Sequence, residues 1–275
     1  MHNGVKIISS VKKTFQVLEF LSTHKSTLTT IARSLSFSIG STQRIVNTLI
    51  ELRYISKDPV TKVLFLSPKF LTLGSAYLNG LEIREIALPY MKKLNEDIDE
   101  VVNLAILLND EEIIYVERIA RTSHVITTNL QIGTKRPIHL SSIGKTILAF
   151  LPEAKQEKII NNLSFNEYRS KSFRNKLELE EQLKRIKKLG YYAGESDLVD
   201  GLFVLAVPIF THQKEPVAGI NISVPSVSGL TNRIADKKLK KFVIPKLIEC
   251  GKMISSALGY SHQGLYKLSM RLREI

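Results

Sequence analysis

Three times between Ser10 and Leu52, apolar residues recur at intervals of three and four, and the chain then switches to two short β-rich runs around a proline turn. Few arrangements bury three short amphipathic helices and a hairpin together. Val11, Phe15, Leu18 and Leu21 form the inward stripe of the first helix. Thr27 caps the second, whose Ile31, Ala32 and Leu35 face inward, and Ser38 caps the third, with Thr42, Ile45, Val46, Leu49 and Leu52 as its apolar stripe. The β-rich runs, around Tyr54 to Ser56 and Val63 to Leu66, flank Asp58-Pro59-Val60-Thr61, where Pro59 pre-sets a turn. The order outlines a winged helix-turn-helix.

The polar side of the third helix is unusual. Ordinary surface helices intersperse both signs of charge. Here Ser41, Gln43, Arg44 and Asn47 crowd the first turns, and the only carboxylate, Glu51, waits at the far end. A helix entering the major groove meets a wall of phosphates, so acids on its leading turns repel the duplex, while hydroxyls and amides reach base edges. Gly40 and Ser41 permit close approach, Arg44 suits guanine or a phosphate, and Gln43 and Asn47 carry the donor and acceptor that suit adenine. The helix amino end at Ser38 itself favours an anion. Lys57 and Lys62 make the wing a backbone clamp, and Thr29 and Arg33 of the second helix complete the candidate DNA contacts.

Charge points the same way. Residues 1 to 80 hold ten lysines and arginines against three acids, a large part of the net +13 of the 275-residue chain. Such an excess suits a polyanionic partner. With 44% hydrophobic and 24% charged residues the chain has the profile of a soluble globular protein, and its length suggests two domains. The lone Cys250 makes no intrachain disulfide, no apolar run spans a bilayer, and MHNGVKIISSVKKTF lacks the apolar core of a secretory signal. A cytoplasmic setting with no membrane contact is expected.

A helical region from Lys69 to Asp97, with Gly74, Gly80 and Pro89 marking breaks or bends, leads into mixed α/β sequence. VVNLAILL, IIYVERI and HVITTNL read as strands, the first two joined at Asn109-Asp110. Helices are expected at Ile143 to Leu151, Glu153 to Leu163 and Leu177 to Leu189. Strands LFVLAVPIF and PVAGINISV flank THQKE, and a last helix runs from Thr231 to Leu258. The fold class is α+β, with an antiparallel sheet large enough to hold a pocket.

Three blocks, the N-terminal module ending KFLTLGSAYL, GTKRPIHLSSIGKTILAFLP, and GYYAGESDLVDGLFVLAVPIF with EPVAGINISV, resemble the isocitrate lyase regulator (IclR) family of transcription factors across residues 7 to 260. The resemblance implies a winged helix-turn-helix over 1–68, a linker helix over 69–97, a GAF- or profilin-like effector-binding domain over 98–260 and a tail over 261–275. It also implies a palindromic DNA operator, a small-molecule effector, and a homodimer or dimer of dimers. The corresponding effector positions are Ser142, Ile143, Gly144, Gly194, Val204, Asn221 and Ser223. Several depart from the family pattern. Gly194 stands where members that bind small carboxylic acids use aspartate, Val204 where cysteine is common, and Asn221 where serine is usual; Ser223 matches. A less polar or differently shaped ligand, or weak dependence on any, is expected. Thr30 replaces a frequent glutamate, leaving Thr27 to cap its helix alone.

Other chemistries lack their residues. SIGKT at 142 to 146 is no P-loop, because His139 occupies the position of the required glycine. There is no G-x-S-x-G elbow, and His2, His24, His124, His139, His212 and His262 are scattered without metal-ligand spacing. Asp197 and Asp200 read as a solvated turn and Cys250 as packed in an apolar helix face. No cofactor, metal or catalytic site is expected. Leu265, Leu268, Leu272 and Ile275 suit a short helix seeking an apolar partner. The competing readings are a sensor whose helix-turn-helix binds protein, and an enzyme that uses the pocket.

Overall fold

The computed structural model describes residues 6–120, 130–165, 173, 175–225 and 239–261, and the chain divides into two compact units, Met1–Gly80 and Leu81–Ile275. In the first, α1 (Ser9–Thr23), α2 (Leu28–Ser34) and α3 (Ile39–Glu51) precede the hairpin β1 (Ile55–Lys57) and β2 (Leu64–Leu66), and α4 (Lys69–Asn79) follows. Thr27 accepts from the Thr30 amide at 3.4 Å and Ser38 from the Ser41 amide at 3.3 Å, so both caps form as their hydroxyls require. Arg53 takes a left-handed conformation (φ 60°) beyond α3, and its neighbour's amide bonds back to Leu49, which turns the chain into the wing. Ser26 exchanges both backbone bonds with Leu64, tying the α1–α2 connection to the wing.

The core of this unit is Val17, Leu21, Ile31, Val46, Leu49, Ile55 and Leu64. Two expected stripes are corrected. Val11 and Phe15 are 48% and 59% exposed, because α1 turns the face of Val17 and Leu21 inward, and Leu52 is exposed because it caps α3 instead of continuing it. Periodicity locates an apolar face without saying what covers it.

The second unit opens with α5 (Glu82–Ile98) and continues with β3 (Val101–Leu107), β4 (Glu112–Ile119), β5 (Lys135–Pro137), α6 (Ser142–Phe150), α7 (Glu153–Asn162), α8 (Lys176–Leu189), β6 (Tyr192–Glu195), β7 (Leu202–Phe210), β8 (Pro216–Pro225), a π-helical stretch Leu239–Val243 and α9 (Ile244–Ala257). The six strands form one antiparallel sheet in the order β5-β4-β3-β8-β7-β6. Helix α6 covers one face, where Ile143 meets Gly219, and α9 covers the other, where Gly251 admits the Val207 methyl; α8 packs on α6 and α5 on α9. Gly74 and Pro89 lie within continuous helices, and of the three expected breaks only Gly80 ends one. The edge strands β5 and β6 were not expected. HVITTNL up to Asn129, the start of the last helix and the tail from 262 lie outside the described residues.

Candidate nucleic-acid interface and ligand cleft

Arg44, Asn47, Ser38 and Gly40 are exposed on α3, and Ser41 and Gln43 half-buried. A Cβ on Gly40 would meet nothing within 4 Å, so its surroundings are open. The Gln43 amide donates to the Asn47 Oδ1 at 2.7 Å, joining the two side chains one turn apart. No acid lies in the first turn of α3. Thr29 and Arg33 are exposed on α2, Arg33 in its last turn.

The wing is held by its own groups. Asp58 Oδ1 accepts from the amides of Val60 (2.9 Å) and Thr61 (2.7 Å), which holds its carboxyl below the usual range. That carboxylate is therefore used internally. Lys62, at φ 61°, places its ammonium on the Pro59 carbonyl at 2.6 Å, and Lys57 is exposed on β1. Lys69 bonds the Leu52 carbonyl at 2.9 Å and lies over the Tyr54 ring at 4.4 Å, stabilising the carboxyl end of α3.

In the second unit a small cleft, open at its mouth, lies between the sheet, the start of α6 and the β6–β7 connection. Ser142, Val204, Asn221 and Ser223 line it, together with Tyr115, Arg136, Ser141, Lys145, Tyr192 and residues 195–199. Ile143, Gly144 and Gly194, expected there, do not. Ile143 is fully buried against Gly219; Gly144 lies so close to Ile138 that a Cβ would overlap its carbonyl; Gly194 faces the Tyr192 hydroxyl. The glycine of SIGKT serves close helix packing.

Lys145 is the largest surprise. Its side chain is 1% exposed and its ammonium pairs at 2.6 Å with Asp197, whose side chain is 0% exposed. The Tyr192 hydroxyl lies at 3.2 Å and its ring at 4.2 Å from the same nitrogen. Burial pulls the lysine pKa below its ordinary value against the opposing pull of Asp197. Asp197 is thus a buried counter-ion and not the solvated turn expected, and a lysine committed to it is no phosphate-binding P-loop lysine. His139, 4% exposed, is held neutral: burial, then the Lys145 charge, lowers it to about 4. Cys250 is buried and its thiol pushed up to about 12 by desolvation, which makes it unreactive.

Asn221 carries the polar wall. Its Nδ2 donates to Ser142 at 3.0 Å and its Oδ1 accepts from Asn103 at 2.8 Å. Tyr115 bonds Ser141 and Asn221, and burial raises its phenol pKa. Arg136 adds a half-buried guanidinium that sequence reading missed, since nothing in KRP separates an inward arginine from a solvated one. Lys145 and Asp197 pair with each other, and among the described lining residues the remaining charged groups are Arg136, which donates to the Lys135 carbonyl at 3.3 Å, and Glu195. Among the described residues no cluster of histidine, cysteine or carboxylates could hold a metal, and no helix is long and apolar enough to cross a membrane.

Comparison with known proteins places both regions. Residues 75–256 match the family profile for the bacterial transcriptional regulator IclR C-terminal domain, and residues 10–59 match the IclR helix-turn-helix domain. The transcriptional repressor IclR of Escherichia coli K12 is 26% identical over 255 residues, covering 92% of this chain and 90% of its own. The regulator XynR of the same organism is 25% identical over 256 residues, covering 92% and 98%. The crystal structure of Thermotoga maritima IclR shares the fold, with a TM-score of 0.69 at 24% identity over 91% of this chain and 99% of that one. So does an IclR homologue of Microbacterium hydrocarbonoxydans complexed with 4-hydroxybenzoate, with a TM-score of 0.71 at 19% identity over 92% and 100%.

Proposed function

Because the chain belongs to the IclR family of transcriptional regulators, we propose that α3 and the wing are the parts of it that contact double-stranded DNA, and that the cleft holds the effector controlling this contact. The observation that carries the reading is the outer side of α3, where Arg44 and Asn47 face solvent and no acid occupies the first turn. Gln43, Arg44 and Asn47 read base edges in the major groove, while Ser38, Gly40 and Ser41 let the helix approach the backbone. Lys57, Lys62, Thr29 and Arg33 hold phosphates on either side.

The chain acts as a homodimer, or a dimer of such dimers, on a palindromic operator. Two apolar surfaces favour self-association: Ile8, Val11 and Phe15 along α1, and Leu71, Leu73 and Tyr77 on α4, a helix with no buried residue. In domain terms, residues 1–68 bind DNA, 69–97 link and 98–260 bind the effector. The protein works in the cytoplasm, as a regulator and not as an enzyme.

The effector is a small organic acid. Arg136, the hydroxyls of Ser141, Ser142 and Ser223 and the amide of Asn221 all line the cleft and are groups that suit a carboxylate, and the Microbacterium hydrocarbonoxydans relative is complexed with an aromatic hydroxy acid. The arginine outweighs the loss of an acid-binding pattern at Gly194 and Val204. Selection of bound sequences from a random duplex pool tests the DNA reading: two symmetric half-sites spaced by about one helical turn are expected. A pool that stays unenriched at low salt contradicts it and favours a helix-turn-helix that binds protein.

A further inference from the structure

Six residues of the second unit form a row from the wall of the cleft to α5, linked through side chains except at Arg118, whose guanidinium bonds on one side and whose backbone amide bonds on the other. Ser142 accepts from Asn221 at 3.0 Å, Asn221 accepts from Asn103 at 2.8 Å, and Asn103 accepts from the Arg118 guanidinium at 3.3 Å. The Arg118 amide donates to Glu117 at 2.9 Å, and the other oxygen of Glu117 pairs with Arg84 of α5, also at 2.9 Å. The chain of bonds crosses three neighbouring strands, β8, β3 and β4. It also crosses the sheet, since Glu117 and Arg118 are adjacent and point to opposite faces.

Such a row is costly to build. Asn103 is 0% exposed, Asn221 3% and Glu117 6%, in a sheet whose neighbouring positions are Leu104, Ala105, Ile220 and Ile222. Buried amides and carboxylates carry a desolvation penalty unless every group is paired, and an apolar residue at these positions would avoid it. Packing alone does not call for them. Both ends of the row, by contrast, have a use: Asn221 and Ser142 line the cleft, and α5 starts at Glu82, directly after the N-terminal unit ends at Gly80.

We infer that Asn221 is the residue through which occupation of the cleft reaches α5, by way of Asn103, Arg118, Glu117 and Arg84, and so alters DNA binding. This rests on the cleft being the effector site. The amide of Asn221 bonds Ser142 through its nitrogen, Asn103 through its oxygen and also Tyr115, so a ligand that hydrogen-bonds it competes with these partners for one carboxamide. Losing the Asn103 bond frees that carboxamide to rotate and releases its acceptor from Arg118. The Glu117–Arg84 pair then loses its fixed neighbour. A ligand biases α5 only as far as it binds the two arrangements unequally.

The test uses the full chain and needs no known effector. Asn221→Ala, Arg84→Met and the double variant are compared by hydrogen exchange of α5 amides and by affinity for a duplex selected from the random pool. Ser255→Ala is the control, since Ser255 is equally buried and bonds the Phe210 amide at 3.1 Å away from the row. Asn221→Ala is expected to speed exchange in the first turns of α5 and to shift the duplex Kd about three- to tenfold. Arg84→Met should give a shift of similar size, and the double variant no more than either alone. Ser255→Ala should lower the melting temperature and leave both readouts unchanged. Unchanged α5 exchange in Asn221→Ala, additive shifts in the double variant, or an equal shift in Ser255→Ala overturns the coupling. Should Asn221→Ala not fold, Asn221→Ser, which keeps a hydroxyl, is read by the same criteria. A wild-type chain that binds no duplex counts against the DNA reading alone, and the exchange arm then decides the coupling.

Discussion

The α3 face and the cleft are built on opposite principles. On α3 the candidate contacts are exposed or half-buried, and their mutual bonds, Gln43 to Asn47 and the Ser41 amide to Ser38, are themselves solvated. In and behind the cleft, the side chains of Lys145 and Asp197 and of Asn103 and Asn221 are buried and tied together in two pairs. A surface that must accept a large polyanion keeps its donors free, because each internal bond would have to be given up on binding. A pocket that must keep its shape when empty satisfies its polar groups internally. Substitutions should therefore separate: those on α3 change binding without unfolding, and those around the cleft change stability first.

The largest expected effect breaks the buried pair. Asp197→Asn leaves Lys145 charged and buried without its counter-ion, and should lower the unfolding free energy by about 3–5 kcal/mol in a urea titration. A loss below about 1 kcal/mol would mean that water reaches the pair and the contrast fails. Gly144→Ala comes next. Its new methyl must displace the Ile138 backbone, so about 1–3 kcal/mol of stability should go, again by urea titration.

Arg44→Ala sharpens the contrast from the other side. Unfolding should shift by no more than about 0.5 kcal/mol, while duplex binding loses about 1–3 kcal/mol. Lys62→Ala should act more weakly and uniformly across sequences, reducing the salt slope of binding by about 1. Acid tests the buried side once more. The unfolded His139 takes up its proton near the ordinary value of 6.5, while the folded one resists until about 4. The unfolded state thus binds more protons in that window, and stability falls as pH drops through it, on the order of 1 kcal/mol per unit. His139→Phe should flatten this slope, followed by urea midpoints between pH 7 and 4.

How much of this could be read from the sequence depends on how local each signal is. Thr27 and Ser38 announce their helices within one turn, and Pro59 announces the wing, so α2, α3 and the hairpin follow from neighbouring residues. The β3–β4 hairpin and the pair β7 and β8 follow from apolar runs bounded by turns. Strands β5 and β6 carry no such signal: Lys135-Arg136-Pro137 and Tyr192-Ala193-Gly194-Glu195 are strands because a longer neighbour pairs with them. Lys145 and Asp197 meet across 52 positions, and no local pattern marks either. Ser142, Val204, Asn221 and Ser223 were named through family resemblance, which supplies place but not bonding. It did not reveal that the Asn221 amide is shared between Ser142 and Asn103.

The central claim is that the outer side of the leading turns of α3, which carries no acid, lies against a duplex. Fluorescence anisotropy of a selected duplex, titrated with wild type and Arg44→Ala from low to moderate salt, tests it most directly. Affinity that falls steeply with salt, and that drops at least about fivefold in Arg44→Ala at unchanged melting temperature, is the expected result. Equal affinity of the two proteins at every salt concentration would contradict it.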